Sequence, residues 1–217
     1  MGNRRMGLGR MEALLEAVDR DLNLENSTLT NCTITTSAAA TFTGTFSAAG
    51  AATSGTGAGL VGTGTAPSQT TMTIGDQIIT TTKIDLTGLK KKSDVGDVIG
   101  LDGTNSAYLY IWQAATHGIL HKIEISCVEL PTATNALLDF DIIAHDTTTL
   151  TYDGDASGGT SLTAMGGNIA LGQTYQDLTI GAPTAGQALY LAEGATSGDN
   201  VFTAGMIIVR TYGTKTF

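Results

Sequence analysis

HGILHKIEISCVEL, residues 117–130, followed after Pro131 by NALLDFDIIAHD, residues 135–146, carries the clearest structural pattern in the chain. The second run changes character with a period of two: Leu138, Phe140 and Ile142 fall on one side, Asp139 and Asp141 on the other. Successive side chains of a strand point to opposite faces, so this alternation predicts extended chain with one face packed inward and the aspartates facing out. The first run is the longest strand candidate. Proline has no amide hydrogen to give to a ladder, and Pro131 is expected to stop it.

The same reading extends outward in both directions. Upstream, QIITTTKIDLTGL (77–89) alternates after Ile79, with Thr and Lys expected on one side and apolar residues on the other. SAYLYIWQA (106–114) sets Tyr108, Tyr110 and Trp112 on one face and Leu109 and Ile111 on the opposite one. Downstream, LTYDGDASGGT (150–160) is a turn by its Asp and Gly content, and shorter runs follow at SLTAM (161–165), TYQDLTI (174–180) and QALYLAE (187–193). In VFTAGMIIVRTYG (201–213), the barely interrupted GMIIVRTYG predicts a central strand buried on both sides.

About eight strands with no helical period between them give an all-β fold. Eight strands over some 140 residues suit a jelly-roll-like β-sandwich of two four-stranded sheets. An immunoglobulin-like sandwich is the competing arrangement; against it stand a slightly high strand count and the lack of a Cys–Trp–Cys pattern.

The other end of the chain has a different composition. MGNRRMGLGR (1–10) runs into MEALLEAVDRDLNL (11–24), where Met11, Leu14, Leu15, Val18 and Leu22 recur at the spacing of one helical stripe. About three turns of helix are marginal alone in water, so this stripe must dock on its own chain, on copies of itself or on a partner. From Asn26 to Gly75 there is no charged residue. Within that stretch residues 47–69 read as a linker, and the Thr-rich segment before them suits extended chain lying along a neighbour or winding with two copies of itself. Three zones result: an arm and short amphipathic helix over 1–25, an extended Thr/Ser/Ala/Gly-rich segment over 26–70, and a β domain over 71–217.

Charge narrows the partners. A net charge of -9 over 217 residues leaves no broad cationic surface for displacing counterions from phosphates, so no nucleic-acid partner is expected. Arg4, Arg5 and Arg10 precede the first acidic residue and give the arm a local positive charge that could meet an acidic protein surface. No apolar run approaches the ~20 residues a membrane-crossing helix needs, so no membrane partner is expected either. Cys32 and Cys127 lie far apart without metal-ligand spacing and read as free thiols, which points to assembly in a cytoplasm.

The candidate chemistry is thin, and no enzymatic activity, cofactor or metal is expected. DGDASGGT places Asp153, Asp155, Ser157 and Gly158 at calcium-loop positions, but Ala164 stands where a bidentate Glu is required. His117 and His121 are four apart in a turn-to-strand segment, a spacing that does not place them on one face as it would on a helix. Asp139 and Asp141 could form a glycosidase pair, yet any solvent-facing strand edge produces that spacing. Lys90 to Lys92 form a basic cluster in a loop that reads as solvated by default, with contact to an acidic neighbour the sharper option, and Tyr108, Tyr110 and Trp112 could stack on sugar or pack in a core. GTGAGLVGTG lacks the Lys-Ser/Thr of a phosphate-binding loop.

The order of parts, RRMGLGRMEALLE, then a charge-free stretch, then a compact all-β domain, resembles the capsid cement (decoration) proteins of podovirus-like tailed bacteriophages. The resemblance implies a jelly-roll domain that trimerises on the outer surface of an icosahedral head. It also implies an N-terminal arm that binds the major capsid protein where capsomers meet. Carried onto this chain, Arg4, Arg5 and Arg10 become arm contacts, and Met11, Leu14, Leu15, Val18 and Leu22 become the docking stripe. The location so implied is the virion surface. A tail-fibre, spike or adaptor protein with a trimeric shaft and a receptor-binding β domain is the alternative. A glycan hydrolase on a jelly roll would need clustered buried acids, and a free carbohydrate-binding module would leave the arm without purpose.

Overall fold

The computed structural model describes residues 55–133, 138–163, 165, 167–178, 181–196 and 198–216. The expected helix, all eight partner-binding residues from Arg4 to Leu22, Cys32 and the charge-free segment up to residue 54 lie outside them. Among the described residues the strands are β1 Ser68–Ile74, β2 Gln77–Asp85, β3 Lys90–Lys91, β4 Tyr108–Ile111, β5 Ile119–Thr132, β6 Phe140–His145, β7 Thr160–Ser161, β8 Thr174–Asp177, β9 Ala188–Glu193, β10 Asn200–Val201 and β11 Ala204–Thr214. One four-residue helix, α1, spans Ala114–His117, and a 3-10 turn spans Ala58–Leu60.

One sheet has the order β1-β2-β11-β5-β8 and another the order β4-β9-β6-β7, while β3 and β10 form a separate short ladder; every pairing is antiparallel. Setting aside β1, β3 and β10 leaves eight strands. Counted along the chain, they stand first-eighth-third-sixth in one sheet and second-seventh-fourth-fifth in the other, the doubled Greek key of a jelly roll. The fold is therefore an all-β jelly-roll sandwich, and each of the eight runs read from the sequence supplies one of its strands.

The core lies between the sheets. From the five-stranded sheet come the cross-strand rows Ile84–Ile207–Cys127 and Thr82–Val209–Ile125; the other contributes Leu109, Tyr110, Phe140, Ile142, Leu189 and Leu191. A third row, Thr71–Thr80–Thr211, is buried although polar. Its hydroxyls are satisfied: Thr71 and Thr80 share a hydrogen bond at 3.0 Å, and Thr211 shares one at 2.6 Å with the Tyr110 hydroxyl.

Several local expectations are corrected. In β2, Thr80 and Thr82 face the core beside Ile78 and Ile84, so Thr does not separate from the apolar residues as the alternation suggested. The strand β11 is central, but its burial alternates, and Met206, Ile208, Arg210 and Tyr212 lie half-buried on the outer side. Only one of its faces meets the opposite sheet. Pro131 does not stop β5, which runs on to Thr132; the β5–β11 register slips between Glu129 and Thr132, and that irregularity accommodates a residue with no amide hydrogen. In β4 a register shift between Tyr108 and Tyr110 breaks the expected facing, so that Leu109 and Tyr110 are both buried. Asp139 is buried and Asp141 half-buried, although both were expected to face out.

Both aspartates are turned to backbone amides of a neighbouring segment. Residues 160–163 and 167–169 follow β6: Thr160 and Ser161 pair with it, the Leu162 amide donates to the Ile142 carbonyl, and the Ile169 amide donates to the Leu138 carbonyl. Where the ladder breaks, carboxylates replace carbonyls. The Met165 amide donates to Asp141 Oδ1 at 3.0 Å, and the Gly167 amide donates to Asp139.

Residues 57–64, part of the glycine-rich stretch, dock on the sandwich. The Gly57 amide donates to the Tyr108 carbonyl, the Gly59 amide to Ser106, and Leu60 is fully buried. Any Cβ at Gly57, Gly59 or Gly62 would overlap the backbone carbonyls of Ser106, Asn105 or Thr87. These glycines serve close backbone approach rather than phosphate binding.

Candidate functional site

The basic cluster Lys90 to Lys92 is divided by strand alternation. Backbone hydrogen bonds in both directions between Lys90 and Gly100, together with the pairing of Lys90 with Val201, hold β3 extended. Lys91 therefore points inward, where its ammonium lies 3.7 Å from Glu193 Oε1, both side chains being 99% or more buried. Lys90 and Lys92 point outward into an open groove of about 680 Å³.

Loops distant in sequence supply the rest of that groove. Lys90 Nζ donates to Asp102 Oδ2 at 2.7 Å, and Lys92 Nζ lies 2.9 Å from Asp199 Oδ2 and 3.8 Å from Asp153 Oδ2. The Lys90 ammonium also stands 5.8 Å from the centre of the Tyr152 ring. These bonds hold both ammonium groups above their ordinary range, through Asp102 for Lys90 and chiefly through Asp199 for Lys92. The acidic neighbours anticipated for the basic loop thus belong to the same chain. Asp153 adopts a left-handed backbone, φ 65°, which Asp tolerates better than most residues.

A second candidate surface is the outer face of the five-stranded sheet. One cross-strand row reads Met72–Ile79–Tyr212–Lys122, and Ile208 and Met206 continue the same face of β11. Lys122 sits 3.9 Å from the centre of the Tyr212 ring and donates to Glu124 Oε1 at 2.8 Å, while the Tyr212 hydroxyl donates to Glu124 Oε2 at 2.6 Å. Burial works to raise the Glu124 carboxyl, but those two hydrogen bonds outweigh it and hold the carboxyl below its usual value. Burial and the same bond push Tyr212 up to about 12. Apolar side chains and a pre-paired charge network thus share one broad face, the mixture found at protein–protein contacts.

The remaining motifs separate. Asp153 turns to Lys92 while Asp155 accepts from the Ser157 amide at 2.8 Å, so the two do not converge on a cation. His117 is buried against the rings of both Tyr110 and Trp112, at 4.8 and 5.0 Å, and the Gln113 amide donates to its Nδ1. Burial pushes its pKa down to about 4. His121 is exposed, and His145 accepts from the Thr147 amide at 2.9 Å. Tyr110 and Trp112 are core residues and offer no sugar platform. The Asp139 and Asp141 carboxyls, raised by burial, with Asp141 reaching about 6, bind backbone amides of segment 160–169. Cys127 is a buried thiol donating to the Glu129 carbonyl.

No protein family, curated sequence or solved structure matches this chain.

Proposed function

We propose that this chain is a structural virion protein, a capsid cement protein that binds the outer surface of an icosahedral phage head, contacts the major capsid protein and ties neighbouring capsomers together as a homotrimer. The observation that carries the reading is the outer face of the five-stranded sheet, where Met72, Ile79, Ile208 and Tyr212 form a mixed surface on the jelly roll. Such a face suits a broad protein neighbour better than a small substrate. The basic arm and its amphipathic stripe, ahead of that body in sequence, supply a second point of attachment.

The job is stabilisation by mass action. A protein that binds only the assembled shell deepens that state by its binding free energy. In a trimer, the second and third contacts become intramolecular once the first is made, so weak contacts suffice. Threefold symmetry lets identical arms reach adjacent capsomers.

Cosedimentation with purified phage heads tests the reading, comparing the full chain with a version lacking residues 1–25. The full chain is expected to pellet with heads and the shortened one to remain largely in the supernatant. If neither pellets, the cement reading fails; if both pellet equally, the arm is not the anchor.

A further inference from the structure

The groove above β3 is not used by a cement role and has a chemistry of its own. We propose that it binds a neutral carbohydrate, a di- or trisaccharide stretch of a glycan. Its size, about 680 Å³, falls within the ~300–1,000 Å³ typical of small-molecule sites.

Charge selects the ligand class. A divalent cation would need the space between Asp153 and Asp199, and the Lys92 ammonium already stands there, 3.8 and 2.9 Å from their carboxylates. An anion would meet three carboxylates, Asp102, Asp153 and Asp199, around two ammonium groups that are each already paired. A sugar hydroxyl both donates and accepts, so it can bridge an ammonium and a carboxylate without disturbing their balance. The half-exposed Tyr152 ring and Val201, 44% exposed, supply the apolar surface that the C–H face of a pyranose requires.

The array is also organised in advance. Long lysine side chains ordinarily lose considerable rotamer freedom when they bind a ligand. Here Asp102 fixes Lys90 while Asp199 and Asp153 fix Lys92 before any ligand arrives, which reduces the entropy lost on binding.

The test uses the full chain. Ligand-observed NMR and calorimetry are run with a panel of neutral oligosaccharides (maltotriose, lactose and N,N′-diacetylchitobiose), with inorganic phosphate and calcium chloride as separate arms. At least one sugar is expected to bind saturably. Tyr152→Ala is expected to weaken that sugar's binding about tenfold, equivalent to ~1.4 kcal/mol, while Tyr152→Phe retains it and neither moves the melting temperature appreciably. Asp199→Asn should weaken the same sugar and leave the chain folded. The proposal is overturned if no sugar in the panel saturates, if only phosphate or calcium binds, or if Tyr152→Ala binds sugar as well as the parent. Head cosedimentation does not involve Tyr152, so this inference and the cement reading fail separately.

Discussion

Replacing Asp141 by Asn should leave the domain folded and change how its stability depends on pH. The Asp141 carboxyl is raised from 3.8 to about 6, by burial first and by the neighbouring Asp139 charge, against the Met165 amide that favours the ionised form. A raised carboxyl binds its proton more tightly folded than unfolded, so its contribution to stability is fully present below 3.8 and is lost as pH rises through about 6. Each pH unit of difference is worth ~1.4 kcal/mol, and between about pH 7.5 and pH 4.5 Asp141 should restore ~2 kcal/mol. His117 acts in the opposite sense. Its pKa is lowered from 6.5 to about 4, so protonation favours the unfolded chain, and acidification over the same interval should remove ~2.5 kcal/mol. The parent profile from these two groups is therefore nearly flat because they cancel. Asp141→Asn keeps a carbonyl oxygen for the Met165 amide and removes the buried charge, exposing the His117 loss. Urea unfolding at the two pH values should show the variant at least as stable as the parent near neutrality and ~2 kcal/mol more acid-sensitive. His117→Asn should shift the profile the other way. Parallel profiles for parent and Asp141→Asn would mean instead that Asp141 titrates alike in the folded and unfolded chain, and that its burial does not raise it.

Two further variants check packing. Gly57→Ala places a methyl group against the Ser106 carbonyl and should cost ~1–3 kcal/mol in thermal or urea melts, whereas Gly55→Ala, with open space around it, should stay within ~0.5 kcal/mol of the parent. Lys91→Ala removes the ammonium beside the fully buried Glu193 carboxyl and should cost ~3–5 kcal/mol by urea unfolding, while Lys91→Met combined with Glu193→Leu should recover most of that loss.

The jelly roll was legible because its signal is local. Alternation over four to eight residues and Asp/Gly turns between runs are visible without knowing what pairs with what, and all eight long-sheet strands fall on runs marked by those signs. The misreadings arose where pairing overrides pattern. Nothing within QIITTTKID announces that Thr80 faces inward, because its partner Thr71 lies on β1 and the adjoining Thr211 arrives at the other end of the chain. Asp139 and Asp141 carry the outward-facing signature, yet the amides of Gly167 and Met165 use them as backbone acceptors. The groove was half visible: the three lysines could be singled out, but Asp102, Tyr152 and Asp199 join them from 12 to 107 residues away, and no spacing rule reaches across such intervals. The glycines at 57, 59 and 62 read as slack by composition, whereas folded they are the positions where two backbones nearly touch.

The place of β11 in the sheet has a kinetic consequence. It lies between β2 and β5, so residues 77–85 and 119–132 have no direct ladder with one another and are joined only when residues 204–214 arrive. Contacts of such long sequence separation require closing large loops before any reward is gained, which places domains of this kind in the ~millisecond-to-second range of folding. During synthesis the five-stranded sheet cannot be completed until residues 204–214 have left the ribosome. Until then β2 and β5 each present an unsatisfied edge, and a neighbouring nascent copy is the competitor most able to fill it.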